Sequence, residues 1–450
     1  MRPIALLACL LATPATAQSY RIEHVTLIDG RGGPARADMT VTVEKDRISS
    51  VVPAARGARY PATVIDGRGR FLVPGMIDVH VHLRSPVRKG GGDLSTLRAE
   101  ADAALASYLY SGFTTVADLG NRPDVVLWAR ARATSTLSPR LFAAGNLITV
   151  PGGKSAEIAV TVDDFARGKA ALDRHIKDQK PDLVKLTYDE GRLGGQRPLP
   201  LMPLGLLRHI IRYYHAHGLR AVVHALTERR ATEAVAAGAD TLAHAVPSER
   251  ASEGFVRMMA RRRIPFATTL TIGDSYRRLI DHPEYLDGPD YAAAFSAADR
   301  EILKTRVRDQ YRGSDAAFVR WRTAMLPVCA ENIRRIVAAG GIAALGTDQA
   351  SGPAAHREMR LLADAGLSPA QIIRMATYNA ALFLGEGKAL GSIEPGKRAD
   401  LVLLSADPLK DVGNMKAILL VMKAGRIVDE SRLPLAGGPQ PRRWPSAAAP

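Results

Sequence analysis

The chain has 450 residues, a formal net charge of +16 and 46% hydrophobic residues, enough for one large barrel with a smaller domain beside it. Its two cysteines, Cys9 and Cys329, exclude a disulfide framework and any cysteine-based zinc site. The basic residues are scattered and never alternate with aromatics in a run, so no nucleic-acid partner is expected. The charge reads as an arginine-rich solvated surface, or as a field that draws in anionic substrates.

At the N-terminus, Arg2 precedes the apolar run Ile4-Ala5-Leu6-Leu7-Ala8-Cys9-Leu10-Leu11-Ala12, and Ala15-Thr16-Ala17 follows as a small-x-small site. Residues 1–17 therefore read as a secretory signal cleaved after Ala17, which implies a periplasmic or secreted protein. The run is too short to span a membrane, so no stable membrane insertion is expected. Leu6-Leu7-Ala8-Cys9 also looks like a lipoprotein box, the alternative reading of the same segment. Cys9 leaves with the signal, and stability in an oxidising compartment must come from the core.

Residues 18–72 hold short strand-like runs such as Val25–Gly30, Met39–Val43 and Arg47–Val52. From 73 to 388 strands alternate with helices, the sign of a parallel α/β sheet. Eight strands are expected: Gly75–His80, Thr114–Asp118, Leu141–Ala144, Leu183–Thr187, Arg220–His224, Thr241–His244, Pro265–Thr269 and Ile342–Gly346. Helices are expected at Leu94–Tyr110, Pro203–His217, Glu228–Ala237 and Val328–Ala339, among others. Eight strands with helical crossovers favour a closed (β/α)8 barrel over an open sheet. The rhythm breaks at residues 272–326, a long insertion carrying Tyr276, Tyr285, Tyr291, Phe295, Tyr311, Phe318 and Trp321. It follows a barrel strand, so it reads as a lid or specificity element, or else as a packed extension or an assembly surface. Residues 389–432 return to strands (Ala399–Leu404, Ile418–Val428) and should pair with residues 18–72 in one small β-sandwich domain built from both chain ends. The Pro/Ala/Arg-rich residues 433–450 read as a disordered tail.

The chemistry lies at the strand ends. His80 and His82 are two apart on a strand, so both imidazoles face one side. His224 and His244 end successive strand candidates, and Asp348 follows Ala343-Ala344-Leu345-Gly346-Thr347. Singly, each histidine also reads as a core residue and Asp348 as a helix cap. Lys185 sits inside the apolar run Leu183-Val184-Lys185-Leu186, where burial populates the neutral amine. A neutral amine adds carbon dioxide to give a carbamate, whose two oxygens can bridge two cations. The alternative is an ion pair with a carboxylate such as Asp118.

Several stretches resemble the amidohydrolase superfamily. Pro74-Gly75-Met76-Ile77-Asp78-Val79-His80-Val81-His82 is similar to its first barrel strand, and Gly346-Thr347-Asp348 to its eighth. Ala376-Thr377-Tyr378-Asn379-Ala380-Ala381 and Gly391-Ser392-Ile393-Glu394-Pro395-Gly396-Lys397-Arg398-Ala399-Asp400-Leu401-Val402 resemble its return into the β-domain. With Lys185, His224 and His244, the set looks like the binuclear branch of Xaa-Pro dipeptidases, imidazolonepropionase-like proteins and ochratoxin amidases. The resemblance implies two Zn2+ ions, with Mn2+ or Co2+ as substitutes. His80, His82 and Asp348 would hold one, His224 and His244 the other, and carboxylated Lys185 would bridge them. It implies amide hydrolysis by a metal-bridging hydroxide, with Asp348 as general base and acid. The substrate would be a small-molecule amide of the N-acyl amino acid or dipeptide type; cyclic amides, lactones or esters are the alternative, and a catalytically silent binding protein the remaining one.

Around that core, Tyr188, Arg192, Arg197 and His356 are candidate substrate contacts, against packing or surface roles. Gln349 stands where the resemblance leads one to expect a small residue, which leaves the pocket's size open. A barrel of this size is compatible with a homo-oligomer, and no sequence feature decides it.

Overall fold

The computed structural model describes residues 19–56, 62–88, 91–191, 198–438 and 440–442. The expected signal segment, Arg192 and Arg197 lie outside the described residues.

The chain opens with β1 (Tyr20–Leu27), β2 (Arg36–Glu44), β3 (Arg47–Pro53), β4 (Thr63–Asp66) and β5 (Phe71–Pro74). In β1 the residues Tyr20, Ile22, Val25 and Leu27 all turn inward. Strict alternation would not allow both Ile22 and Val25; the register shifts between them, with His24 at φ +56°.

The barrel strands are β6 (Met76–Val81), β7 (Phe113–Asp118), β8 (Arg140–Ala143), β9 (Leu147–Thr149), β11 (Val184–Thr187), β12 (Ala221–His224), β13 (Thr241–Leu242), β14 (Phe266–Ala267) and β15 (Ala343–Ala344). The short β10 (Ala159–Thr161) adds to β9 from outside. All neighbours pair in parallel. The third barrel strand is broken in two. β8 pairs with β7, and after a bend at Gly145 (φ +68°) β9 pairs with β11. A Cβ at Gly145 would come within 2.3 Å of the Gln179 side-chain oxygen, so only glycine fits the bend. The sequence expectation placed Leu141–Ala144 as one strand and did not foresee its continuation.

The barrel closes between its last and first strands. Val79 N donates to Leu345 O (3.0 Å), Asp348 N to His80 O (2.7 Å) and His82 N to Gln349 O (3.1 Å). On the other side of the break, Asp182 N donates to Ala143 O at 3.0 Å. Helices return the chain between strands, and side-chain caps mark where they start. Asp93 accepts from Thr96 N, Thr227 from Arg230 N and Ser252 from Phe255 N.

The chain then comes back through β16 (Leu401–Leu404), β17 (Ile418–Lys423) and β18 (Arg426–Ile427). β16 pairs antiparallel with β5, so both chain ends share one sheet. The run from Ile418 is a hairpin rather than one strand. Ala424 (φ +48°) and Gly425 (φ +72°) make its turn, and a Cβ on Gly425 would lie 1.8 Å from Lys45 O. Ile22, Val41, Leu72, Leu401, Leu403 and Met422 form this sheet's own apolar core.

Two expectations need correction. The helix expected at Val328–Ala339 runs from Ala316 to Ala338, with Pro327 inside it. Proline removes one helical donor and usually ends a helix; here flanking contacts with the helix Thr271–Asp281 carry it through. The tail expected to be disordered from Leu433 is docked at its start. Leu433 and Leu435 are buried, Gly437 N donates to Ala293 O (3.0 Å), and Arg442 Nη2 donates to Tyr110 O (2.6 Å). Composition predicted disorder, but two leucines with apolar neighbours offset the ordering cost. Among the described residues, no helix is long and apolar enough to cross a membrane.

The insertion is helical. Helices at Thr271–Asp281, Pro289–Ala294, Ala297–Ile302 and Arg308–Arg312, with the first half of Ala316–Ala338, form a roof over the barrel mouth. Leu279, Leu286, Leu303, Val307 and Val319 give it a separate small core.

Candidate metal centre

Strand geometry brings the ligand-type side chains to one mouth. His80 and His82 lie at and just past the end of β6, Lys185 within β11, His224 at the end of β12, His244 two residues beyond β13, and Asp348 beyond β15. His82 Nε2 is 3.1 Å from Asp348 Oδ1, and His80 Nε2 is 3.6 Å from the same oxygen. These three offer ligand atoms all within 4.8 Å of one another. Lys185 Nζ is 3.3 Å from His80 Nε2. His244 Nε2 is 2.9 Å from His224 Nδ1, and the His80 and His244 rings are 4.8 Å apart. All six residues line one cavity of about 530 Å3.

The back side of each imidazole is fixed. His80 Nδ1 faces Ala243 O and His82 Nδ1 faces Gly120 O, both at 2.8 Å. A carbonyl accepts only, so each Nδ1 must carry the proton, and each Nε2 is turned toward the Asp348 carboxylate, where it could offer a lone pair to a cation between them. His224 Nε2 faces the Asp189 carboxylate (3.2 Å), which by the same logic leaves its Nδ1 lone pair toward His244. His244 Nδ1 meets Thr269 Oγ1 at 3.0 Å, a hydroxyl that can donate or accept. The facing nitrogens of His224 and His244 can therefore hydrogen-bond to each other or share a cation.

Burial sets the charges. It lowers His80, His224 and His244, favouring the neutral form that coordinates, while Asp348 and Asp189 act the other way. It pushes Lys185 down to about 8, with the charges of Asp348 and Asp118 partly opposing. Burial works against the Asp348 carboxylate, but the surrounding His80, His82 and His244 outweigh it and hold its pKa well below the ordinary value. Asp189 is also held low, at about 2. Burial opposes this, and the hydrogen bond from His224 prevails.

Asp348 sits at φ +57°, a strained conformation for a non-glycine residue. The turn is held by Asp78, which is fully buried and accepts from Thr347 Oγ1 (2.7 Å), Thr347 N (3.2 Å) and His80 N (3.1 Å). Gly346 beside it leaves room for His80, whose Cβ would lie 3.0 Å from a Cβ there.

The other sequence candidates separate. Asp118 does not pair with Lys185. It accepts from Leu83 N (2.9 Å), Gly120 N (2.9 Å) and Asn121 Nδ2 (3.0 Å), bracing the loops behind His82. Gln349 lines the cavity. Tyr188 does not; its ring is buried and its hydroxyl donates to Glu233 Oε2 at 2.8 Å. His356 turns away too, with Nε2 on Ser111 O (2.9 Å) and its ring edge-on to Phe113. It lies one helical turn inside Gly352–Asp364, on the face that packs against the helix Leu94–Tyr110.

Sequence reasoning missed Asp189 and Glu358. Asp189 stands four residues after Lys185, just past a strand end, and that position was its only signal. Glu358 is fully buried and accepts from Leu270 N (2.9 Å), Thr271 N (2.7 Å) and Thr271 Oγ1 (2.8 Å). It pins the first turn of the roof to the barrel, and nothing local in the sequence points to it.

Fold and cluster place the chain among barrel proteins that gather imidazoles and a carboxylate at one mouth. It belongs to the amidohydrolase family, whose model matches residues 71–428. Over 132 residues it is 37% identical to a dihydroorotase of Bacillus licheniformis, covering 28% of each chain. Over 461 residues it is 26% identical to an imidazolonepropionase of Symbiobacterium thermophilum, covering 96% of this chain and 99% of the relative. The chain spans 28% and 41% of the length of the first two dihydroorotases it matches. Among solved structures, an amidohydrolase superposes with a TM-score of 0.74 at 22% identity, covering 91% of this chain and 98% of that one. A Xaa-Pro dipeptidase with methionine bound in its active site gives 0.71 at 21% identity, covering 91% and 99%. At these identities the superpositions show the fold.

Proposed function

We propose that the protein is a binuclear zinc amidohydrolase that cleaves an amide bond in a small molecule of the N-acyl amino acid or dipeptide type. One observation carries the reading: His80, His82 and Asp348 meet Lys185 and the His224–His244 pair at the floor of a single cavity. The donor set fits two borderline cations, because four imidazoles face inward with lone pairs available and a carboxylate stays ionised among them. His80, His82 and Asp348 would hold one ion, His224 and His244 the other, and Lys185 would bridge them as its carbamate. The lysine's amine adds to carbon dioxide, forming one N–C bond and releasing one proton. When bound, the two ions would activate a water and polarise the scissile carbonyl.

The residues have distinct work. Asp348 Oδ1 faces His80 and His82, which leaves Oδ2 to take a proton from the water and return it to the leaving amine. Asp189 and Thr269 hold His224 and His244 in orientation. The apolar segment at residues 4–12 supports a periplasmic or secreted location.

The test is a screen of N-acyl amino acids, dipeptides, cyclic amides, lactones and esters with zinc-loaded protein and the D348N variant as control. Turnover of linear amides that D348N loses supports the reading. Turnover confined to cyclic amides, lactones or esters moves the reaction to those bonds at the same site. Binding without turnover of any class overturns the hydrolase reading.

A further inference from the structure

The cavity is lined by more cations than its chemistry consumes. Arg278 is satisfied by Tyr291 OH (3.1 Å) and lies 3.9 Å over the Tyr285 ring. Arg357 is satisfied by both oxygens of Asp274, at 2.6 and 2.9 Å. Arg84 and Lys154 line the cavity as well, and Arg322 is set apart from them by a buried nitrogen. It projects from the roof helix Ala316–Ala338, its Nε is buried, and that nitrogen has no hydrogen-bond partner among the described residues. Its guanidinium rests 5.2 Å over Phe318 and 4.8 Å over Trp321, so the plane is held by ring contacts and not by an acceptor. Gly273 packs against the carbonyl of Arg322, where a Cβ would meet that oxygen at 3.2 Å, and this close approach fixes the helix over the mouth.

The Nε itself is closed off, so the part of Arg322 that lines the cavity is what a ligand can reach, and a guanidinium favours planar two-oxygen partners. Tyr276 lines the same cavity as Arg322 and Asp348. Its ring packs edge-on against Tyr311 (5.0 Å) and Phe318 (5.4 Å). The surroundings of Arg322 are therefore aromatic, on the same cavity wall as the reacting groups.

We propose that Arg322 is a specificity-determining residue that receives a carboxylate of the substrate, so that the cavity selects anionic amides whose neighbouring side chain is apolar or aromatic. The inference rests on the amide-hydrolase reading and deepens it.

The experiment compares wild type, R322Q, R322K and Lys154→Gln on N-acetyl-L-phenylalanine and on N-acetyl-2-phenylethylamine, which keeps the amide and the ring but lacks the carboxylate. For the acid, R322Q should raise KM by about 10- to 100-fold, the size of one lost charge-assisted pair, with little change in kcat. The neutral amide should be hydrolysed alike by both proteins, and R322K should recover part of the loss. Calorimetry with 3-phenylpropionate on the zinc-loaded proteins gives a readout free of turnover, with the same weakening expected in R322Q. If wild type hydrolyses neither amide, the hydrolase reading is decided by the wider screen of dipeptides, cyclic amides, lactones and esters, while calorimetry decides the role of Arg322. Equal KM changes for acid and neutral amide overturn the proposal. So do a loss in Lys154→Gln with R322Q unaffected, and unchanged 3-phenylpropionate binding in R322Q. Thermal melting of both Arg322 variants identifies a folding defect, and R322K then carries the comparison.

Discussion

The floor and the roof of the cavity are built on different principles. On the floor, the imidazoles sit at or near strand ends and their far sides are tied to fixed partners, as His80 is to Ala243 O and His82 to Gly120 O. The roof is a helical insertion held by its own apolar core, by ring contacts such as Tyr285–Tyr291 (4.7 Å), and by Glu358 at its first turn. The difference teaches where chemistry and selectivity reside. A rigid floor pre-organises the charges, and a separately packed roof can change without disturbing them. On this account, floor substitutions act on turnover and roof substitutions on substrate choice or on local stability.

The largest effect should come from the floor. D348N and K185A should each lower kcat by about 100- to 10,000-fold, the range for a lost proton-transfer group or its support, in a steady-state assay on the best amide. Short carboxylic acids should restore part of the K185A activity by standing in for the carbamate. Wild-type turnover in K185A would break the comparison, because the floor would then not need its bridging residue.

Asp189→Asn comes next. The amide offers one acceptor and places a donor beside His224 Nε2 on its other face, so the ring loses its fixed orientation. Metal affinity or activity should fall by about 10- to 100-fold, read by competition with a chelator. The R322Q effect on KM stands at a similar size, but in the other column, with kcat preserved.

Glu358→Gln tests the hinge between the two regions. The amide nitrogen would oppose the N–H of Leu270 or Thr271, leaving a buried donor unmet. The cost should be about 1–3 kcal/mol, measured by denaturant unfolding, with KM affected more than kcat. The smallest change should come from Tyr188→Phe, whose hydroxyl serves Glu233 outside the cavity. It should leave KM for every substrate unchanged and cost about 1 kcal/mol of stability. A changed KM would return Tyr188 to the substrate.

The same division governs what the sequence made legible. A strand end is a local pattern, so apolar runs closing on His80, His224, His244 and Asp348 could be placed without coordinates. Lys185 stood out because a buried lysine breaks such a run. The roof's residues meet across long separations. Glu358 reaches Thr271 over 87 positions, so its partner could not be read from a neighbourhood; His356, away from the roof, finds Ser111 over 245. Asp189 is intermediate: it is close to Lys185 in sequence, but its partner His224 lies on the next strand. The break in the third strand was hidden because it depends on one glycine meeting Gln179 in space.

The most direct test of the central claim is the zinc content of the chain purified without chelators, read by elemental mass spectrometry. About two ions per chain are expected, with the second lost in K185A. About one ion per wild-type chain, or none after reconstitution with zinc and bicarbonate, would contradict the binuclear site.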